Sequence, residues 1–308
     1  MAFYTAYGLT IQSVLPLPEL IAHQAPPDVV IRLESHSVIA SLMPPTDYSI
    51  GVFNDGIFFW WDDVGILTAT HGREIVVAPI ADVDEQWFRG FIINEAMAAL
   101  LHQRGKLVLH GSAAVIDDGV VVFIGSSGQG KSTTAAALQV RGHLAIVDDV
   151  VAIDLDYMAG VPHVLPAFPQ VKLWPEAVAA LGHDVDALPR VTQNTEKRSY
   201  RQAEGFPQSP QPLRAIYVLD KGDETHIEPL TPQQACFELL THSYMNHLGG
   251  LYEVDLLGET GTAAANFQRC AEVARLVPTK RLTRRFSLPD LAQLVQLIEQ
   301  DVAQGAAY

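Results

Sequence analysis

The stretch that decides the reading is Val120-Val121-Val122-Phe123-Ile124-Gly125-Ser126-Ser127-Gly128-Gln129-Gly130-Lys131-Ser132-Thr133. Its first five residues are β-branched or aromatic and read as a buried strand. Gly125 to Ser132 then match G-x-x-x-x-G-K-[ST], and Ser132–Arg141 continues as a helix that Gly142 stops. Each residue type has a physical task. The glycines allow positive φ and let backbone N–H groups curl around phosphate oxygens, while the following helix points its positive end at the same anion. Lys131 reaches the outer phosphates as a point charge, and the Ser132 hydroxyl ligates Mg²⁺. By composition alone the pattern would arise in roughly 1% of chains this long. A strand before it and a helix after it supply the context that the motif requires. The nucleotide-binding set is therefore Gly125, Ser126, Ser127, Gly128, Gln129, Gly130, Lys131, Ser132 and Thr133.

Working outward, Leu144-Ala145-Ile146-Val147 reads as the next strand, ending in Asp148-Asp149. A short helix, the turn Arg141-Gly142-His143 and one strand fill the span from Lys131 to Asp149. That strand is expected close to the loop strand, with both carboxylates at the phosphates. Two adjacent carboxylates there suit two tasks, holding the metal and accepting a proton from a hydroxyl. On the other side, Leu107-Val108-Leu109 reads as a strand ending at His110-Gly111, with Asp117-Asp118-Gly119 as a turn before the loop strand.

The chain has 308 residues and a net charge of −15, with 48% hydrophobic and 18% charged residues. Such a composition excludes disorder and collagen-like repeats, and the charge excludes binding nucleic acid or an anionic membrane through the bulk field. Residues 1–90 hold 11 acidic and 3 basic side chains, about half of the excess, and no catalytic motif. Cys236 and Cys270 are too few for a disulfide framework. No long apolar run and no basic, apolar leader occur, so a cytoplasmic setting is expected. Residues 1–85 read as short strands, among them Val29–Leu33, Gly56–Trp61 and Ile75–Ala78, with Trp60 and Trp61 as core residues. Residues 86–308 follow as one unit, opening with a helix over Gln86–Arg104 and closing with one over Ser287–Val302.

The run Leu109–Asp154, LHGSAAVIDDGVVVFIGSSGQGKSTTAAALQVRGHLAIVDDVVAID, resembles the catalytic core of the HPr serine kinase/phosphorylase family. The likeness lies in a His-Gly pair, a hairpin, the G-x-S-G-x-G-K-S loop, a helix ending in R-G-H and a strand ending in D-D. Tyr7-Gly8-Leu9, Leu173-Trp174-Pro175, Glu196-Lys197-Arg198 and Pro212–Tyr217 are similar to the HPr-kinase-like peptide kinases of lasso-peptide biosynthesis. The resemblance implies an α/β fold, a P-loop carboxykinase-like (HPr kinase C-terminal-like) core with a β-rich N-terminal region. It implies ATP with Mg²⁺ as nucleotide and metal, and transfer to a serine hydroxyl. Asp148 would be the general base, Asp149 and Ser132 would hold the metal, and His110 would orient base or acceptor; the split between the aspartates can also run the other way. The HPr-docking signature is not recognisable; the resemblance to the lasso-peptide kinases implies a peptide or small protein, such as a lasso precursor peptide, as the acceptor. A homo-oligomer is compatible with the sequence.

Two groups of cations stand out against the acidic background. Lys197, Arg198 and Arg201 follow the polar stretch Thr192–Asn194, and Arg198 is the candidate for stabilising transition-state charge. Arg275, Lys280, Arg281, Arg284 and Arg285 read either as a docking face for an acidic peptide or as a solvated face. His242 and His247 are five residues apart and do not suggest a metal site. The alternatives to a peptide kinase are an acceptor-independent P-loop ATPase or nucleotide switch, a small-metabolite kinase, and a binding module without catalysis.

Overall fold

In the computed structural model, residues 43–48, 159, 193–194, 202–203, 286 and 306–308 lie outside the described part of the chain. Strands β1 (Ala2–Ala6), β2 (Leu9–Ser13), β3 (Ile21–Ala22), β4 (Val29–Leu33), β5 (Ile50–Phe53), β6 (Gly56–Trp61), β7 (Gly65–Thr70) and β8 (Glu74–Pro79) form one sheet. Its order is β3-β1-β2-β4-β8-β7-β6-β5. Side chains alternate as a pleated strand demands. Ile57, Phe59, Leu67, Ala69, Ile75 and Val77 enter the main core, while Phe58, Ile66, Val76 and Ala78 meet Ile39 of α1 (His36–Leu42) on the other face. Trp61 stacks on Phe59 and packs at 4.3 Å from the Phe91 ring, so the tryptophan pair is structural there.

The helix expected over residues 86–104 spans 85–103 in three parts: α2 (Glu85–Phe91), a π turn (Ile92–Ala96) and α3 (Met97–Gln103). Asp84 caps it by accepting from the Trp87 amide at 2.8 Å. Strands β9 (Leu107–Ile116) and β10 (Gly119–Ile124) follow as a hairpin through Asp117-Asp118. All six residues of β10 are buried, which is why its sequence is a continuous apolar run rather than an alternating one.

After the glycine loop come α4 (Lys131–Val140), β11 (Leu144–Met158), β12 (Val161–Leu165), β13 (Gln170–Leu173), α5 (Pro175–Ala180), β14 (Arg198–Arg201), β15 (Gln211–Lys221) and β16 (His226–Pro229). The chain ends with α6 (Pro232–Thr241), α7 (Tyr244–Tyr252), α8 (Leu256–Glu259), α9 (Ala263–Leu276), β17 (Thr279–Arg284) and α10 (Leu291–Gly305). The second sheet runs β10-β9-β11-β12-β15-β17-β16. Strand β15 also pairs with β10 in parallel, so β10, β9, β11, β12 and β15 close into a ring. The architecture is mixed α/β.

Three expectations change. Strand β11 does not end at Asp148-Asp149; it runs on through Val150–Ile153, whose β-branched apolar residues are buried on both faces. It does not lie beside β10 either. The two-residue turn at Asp117-Asp118 lays β9 against β10, and β11 adds to the far side of β9. The last helix begins at Leu291 rather than Ser287, because Leu288, Pro289 and Asp290 form its entry turn.

Helix α4 positions the site from behind. Ala135 and Ala136 pack against Val171 and Leu173 of β13, while Ala137 and Leu138 face Leu291, Leu294 and Ile298 of α10. The alanines keep β13 close, and β13 carries Lys172.

Candidate functional site

Gly125, Gly128 and Gly130 take φ of 146°, 76° and 84°, values that L side chains rarely adopt. At Gly130, which precedes α4, an added Cβ would also collide with the Arg284 guanidinium. Arg284 is buried and donates to the Gln129 carbonyl at 2.6 Å, so β17 braces the loop from outside. Lys131 is buried as well, and its ammonium donates to the carbonyls of Gly125 at 2.8 Å and Ser126 at 3.3 Å. Burial lowers its pKa, and an incoming anion would compete with those two carbonyls for its protons. Ser132 and Thr133, in the first turn of α4, remain partly exposed.

Asp148 and Asp149 face Ser112 and Gly111 across the β9–β11 ladder. Asp148 is almost fully buried and well satisfied. Its Oδ1 accepts from the Ser112 hydroxyl at 2.9 Å and its Oδ2 from the Lys172 amide at 2.8 Å. The Ser132 hydroxyl also hydrogen-bonds to it, which joins the carboxylate to the first turn after the glycine loop. Burial, and then the charge of Asp149, raise its pKa. Asp149 adopts φ of 74°, a costly left-handed value for a non-glycine strand residue. A regular strand would send adjacent side chains to opposite faces. Here both carboxylates meet one residue, because the Lys172 ammonium pairs with Asp149 at 2.7 Å. Burial works to raise Asp149, but Lys172 outweighs it and holds this carboxyl below its usual range. Two neighbouring carboxylates thus have pKa values pushed in opposite directions.

His110 lies within β9, opposite Val150, rather than after a strand end. Its ring stacks on His247 at 4.2 Å, and its Nδ1 is buried without a partner. Burial, and then the Lys131 charge, lower its pKa to about 3, so the ring is neutral at ordinary pH. His247 comes from α7 and His242 caps α6, its carbonyl accepting from the His110 amide at 2.9 Å. Tyr7, from the N-terminal sheet, places its hydroxyl on the Val150 carbonyl at 3.2 Å, directly beside Asp149.

Arg198 is not brought to this centre. Its guanidinium is buried and donates to the carbonyls of Val185 at 3.1 Å and Glu196 at 3.0 Å, so it fastens the loop before β14. Arg201 likewise holds the carbonyls of Pro18 and Glu19. The cation of this group that faces the centre is Lys197, whose charge is felt by Lys131 and Asp149. Its ammonium sits 5.5 Å from the centre of the exposed Trp174 ring. Of the stretch Thr192–Asn194, residues 193 and 194 lie outside the described part. In the second basic group Lys280 pairs with Asp301 and Arg281 with Asp220 and Glu238, while Arg284 and Arg285 donate to the carbonyls of Gln129 and Asp223. That pairing favours the solvated-face reading over a docking face for an acidic peptide.

Sequence reasoning missed Lys172, Ser112 and Glu95, and weighed His247 only as a metal ligand. Lys172 carried a faint signal, a lone cation alternating with Val171 and Leu173 in an acidic chain. Nothing local tied it to aspartates 23 residues away.

With this geometry in view, the chain can be set beside known proteins. No family model matches it, and no curated protein does. Among solved structures, it is similar to the HPr(Ser) kinase/phosphatase from Coxiella burnetii. That match has a TM-score of 0.32 and 14% identity, covering 65% of this chain and 96% of the other. A likeness of this size assigns neither family nor activity. Among the described residues, no helix is long and apolar enough to cross a membrane. The chemistry must therefore be read from the centre itself. A glycine-lined, lysine-bearing loop at a helix start suits an anion, and a buried carboxylate of raised pKa beside it suits a proton acceptor.

Proposed function

We propose that the chain is an ATP- and Mg²⁺-dependent kinase that phosphorylates a serine hydroxyl on a peptide or small protein, acting in the cytoplasm. A ribosomally made, lasso-type precursor peptide is the candidate acceptor. The observation that carries this reading is the wiring of Asp148, which links the Ser132 hydroxyl after the glycine loop to Ser112 and Lys172. Residues 1–85 would form a β-rich region that buttresses a P-loop, carboxykinase-like domain over 86–308.

The residues present fit a magnesium ion. The donors are hard oxygens, the Ser132 hydroxyl and the Asp149 carboxylate. Among the described residues no cluster of three His, Cys, Asp or Glu side chains could hold a metal alone, consistent with an ion that the nucleotide phosphates help to bind. When bound, Mg²⁺ neutralises charge on the phosphates. Residues Gly125–Thr133 would wrap those phosphates, and Lys131 would exchange its two carbonyl partners for phosphate oxygens. In the transfer, the acceptor oxygen bonds to the γ-phosphorus while the bond to the β–γ bridging oxygen breaks, and ADP leaves with that electron pair. The acceptor proton passes to Asp148, whose raised pKa suits the task. Neutral His110 would orient the acceptor, and Lys197, in place of Arg198, would meet the developing charge.

A small-metabolite kinase is the second reading, favoured by a cavity of about 300 Å³ beside Lys172. Incubation with ATP, Mg²⁺ and the peptide encoded beside the gene should add one HPO₃ group to a serine, read by mass spectrometry. Asp148→Asn should slow transfer by about 100-fold while leaving nucleotide affinity unchanged. Transfer at the wild-type rate in that variant would remove Asp148 as the base.

A further inference from the structure

A cavity of about 300 Å³ opens between α2, the π turn and β13, with Val191, Thr192 and Thr195 closing its remaining side. Trp87, Gly90, Asn94, Glu95, Gln170 and Lys172 contribute to its wall. Three oxygens on this wall are shielded from solvent and have no hydrogen-bond partner: Asn94 Oδ1, Glu95 Oε2 and Gln170 Oε1. The orientation of Asn94 is fixed, because its Nδ2 donates to the Gly90 carbonyl at 2.9 Å. Since a carbonyl only accepts, the amide NH₂ end belongs there and Oδ1 is the unpartnered end. Unpartnered buried acceptors are costly, so Asn94 Oδ1 and Glu95 Oε2 on one wall point to a ligand that donates.

The helix is built for this. A π turn covers Ile92–Ala96, and the consecutive residues Ile93, Asn94 and Glu95 all reach the cavity. Turns of this kind interrupt α-helices frequently at functional sites. The charge balance favours a cation. Lys172 is already paired with Asp149 at 2.7 Å and Glu19 with Arg89 at 2.9 Å, which leaves the Glu95 carboxyl as the acid on this wall outside an ion pair. Trp87 adds an aromatic face, on which ammonium groups sit well.

We infer that this cavity holds a small ammonium-bearing group of the phosphoacceptor, whose neighbouring hydroxyl then extends past Lys172 toward the two aspartates. The inference rests on the kinase reading for what happens to the hydroxyl, but the pocket itself does not. The ammonium can belong to a free amino alcohol or to a lysine side chain next to a serine. L-serinamide and acetyl-Lys-Ser-amide are the probes for those two sources.

Gly90 supplies the variant. It is helical, it lines the cavity, and a Cβ built on it meets no atom within 4 Å. Gly90→Leu should therefore fold normally and fill the space. Calorimetric titration of the full chain should show binding of at least one probe, weakened tenfold or more in Gly90→Leu and in Glu95→Gln. The tighter probe identifies the source of the ammonium. MgATP affinity should stay within twofold of wild type in Gly90→Leu. Absence of binding by both probes, or equal binding in a folded Gly90→Leu protein, overturns the pocket. If probes bind with this dependence but MgATP does not bind at all, the kinase reading fails and the pocket stands.

Discussion

Glu95 shows how much one side chain can report. Burial raises its pKa from an ordinary 4.5 to about 7, with Lys172 opposing the shift and Asp149 adding to it. Tyr244 and Tyr252 are the other titratable groups within reach of its charge. Because the folded-state value lies above the unfolded one, the folded chain binds the extra proton. The stability associated with that proton is present below pH 4.5 and is lost as pH rises through 7. Glu95→Gln, which mimics the protonated acid, should stabilise the protein by about 2 kcal/mol at pH 8 and by almost nothing at pH 4.5. Chemical denaturation at the two pH values checks this; an equal effect at both would contradict it. His110 gives the opposite case. With its pKa near 3, its ring resonances should not titrate between pH 5 and 8, whereas an inflection near 6.5 would show a solvated imidazole. At this scale Lys131, Ser132, Asp148 and Asp149 were legible because a local pattern names them. Glu95 and Lys172 were not, since their role comes from partners brought near only by folding.

At the scale of elements, the apolar strand, glycine loop and helix stand where their sequence pattern predicts them. The carboxylate strand runs on past the point the pattern predicts, because two aspartates in succession look like a strand end. Burial of Asp148 within a strand is possible only because Ser112, Ser132 and the Lys172 amide satisfy it, and those partners lie on three other segments. The loop glycines should differ in their tolerance. Gly128 and Gly130 both have positive φ, but a Cβ at Gly128 meets nothing within 4 Å while one at Gly130 meets Arg284. Gly128→Ala should then cost about 1 kcal/mol of stability, the price of a left-handed alanine. Gly130→Ala should cost more and displace the bracing arginine, lowering MgATP affinity further than Gly128→Ala does. Thermal melts and nucleotide titrations of both variants check the order; the reverse order would contradict it.

Across the whole molecule, the acidic first 90 residues looked remote from any chemistry. Folding brings Tyr7 from that region onto the Val150 carbonyl next to Asp149, and Trp61 donates to the Tyr252 hydroxyl at 2.9 Å. The main hydrophobic core is likewise continuous from Ala6 to Val277. Long-range contacts of this sort leave no periodicity in the sequence, which is why the strands were legible and their use was not. The net charge of −15 keeps its meaning as a bar to bulk binding of polyanions, while Lys131, Lys172 and Lys197 gather at one buried centre. That concentration of cations makes nucleotide binding the property to measure. Calorimetric titration of MgATP into the wild-type chain and into Lys131→Ala, both verified as folded by thermal melting, is the most direct test. One site per chain, weakened at least tenfold in the variant, is the predicted result. No binding by the wild type, or equal affinity in the two proteins, would contradict it.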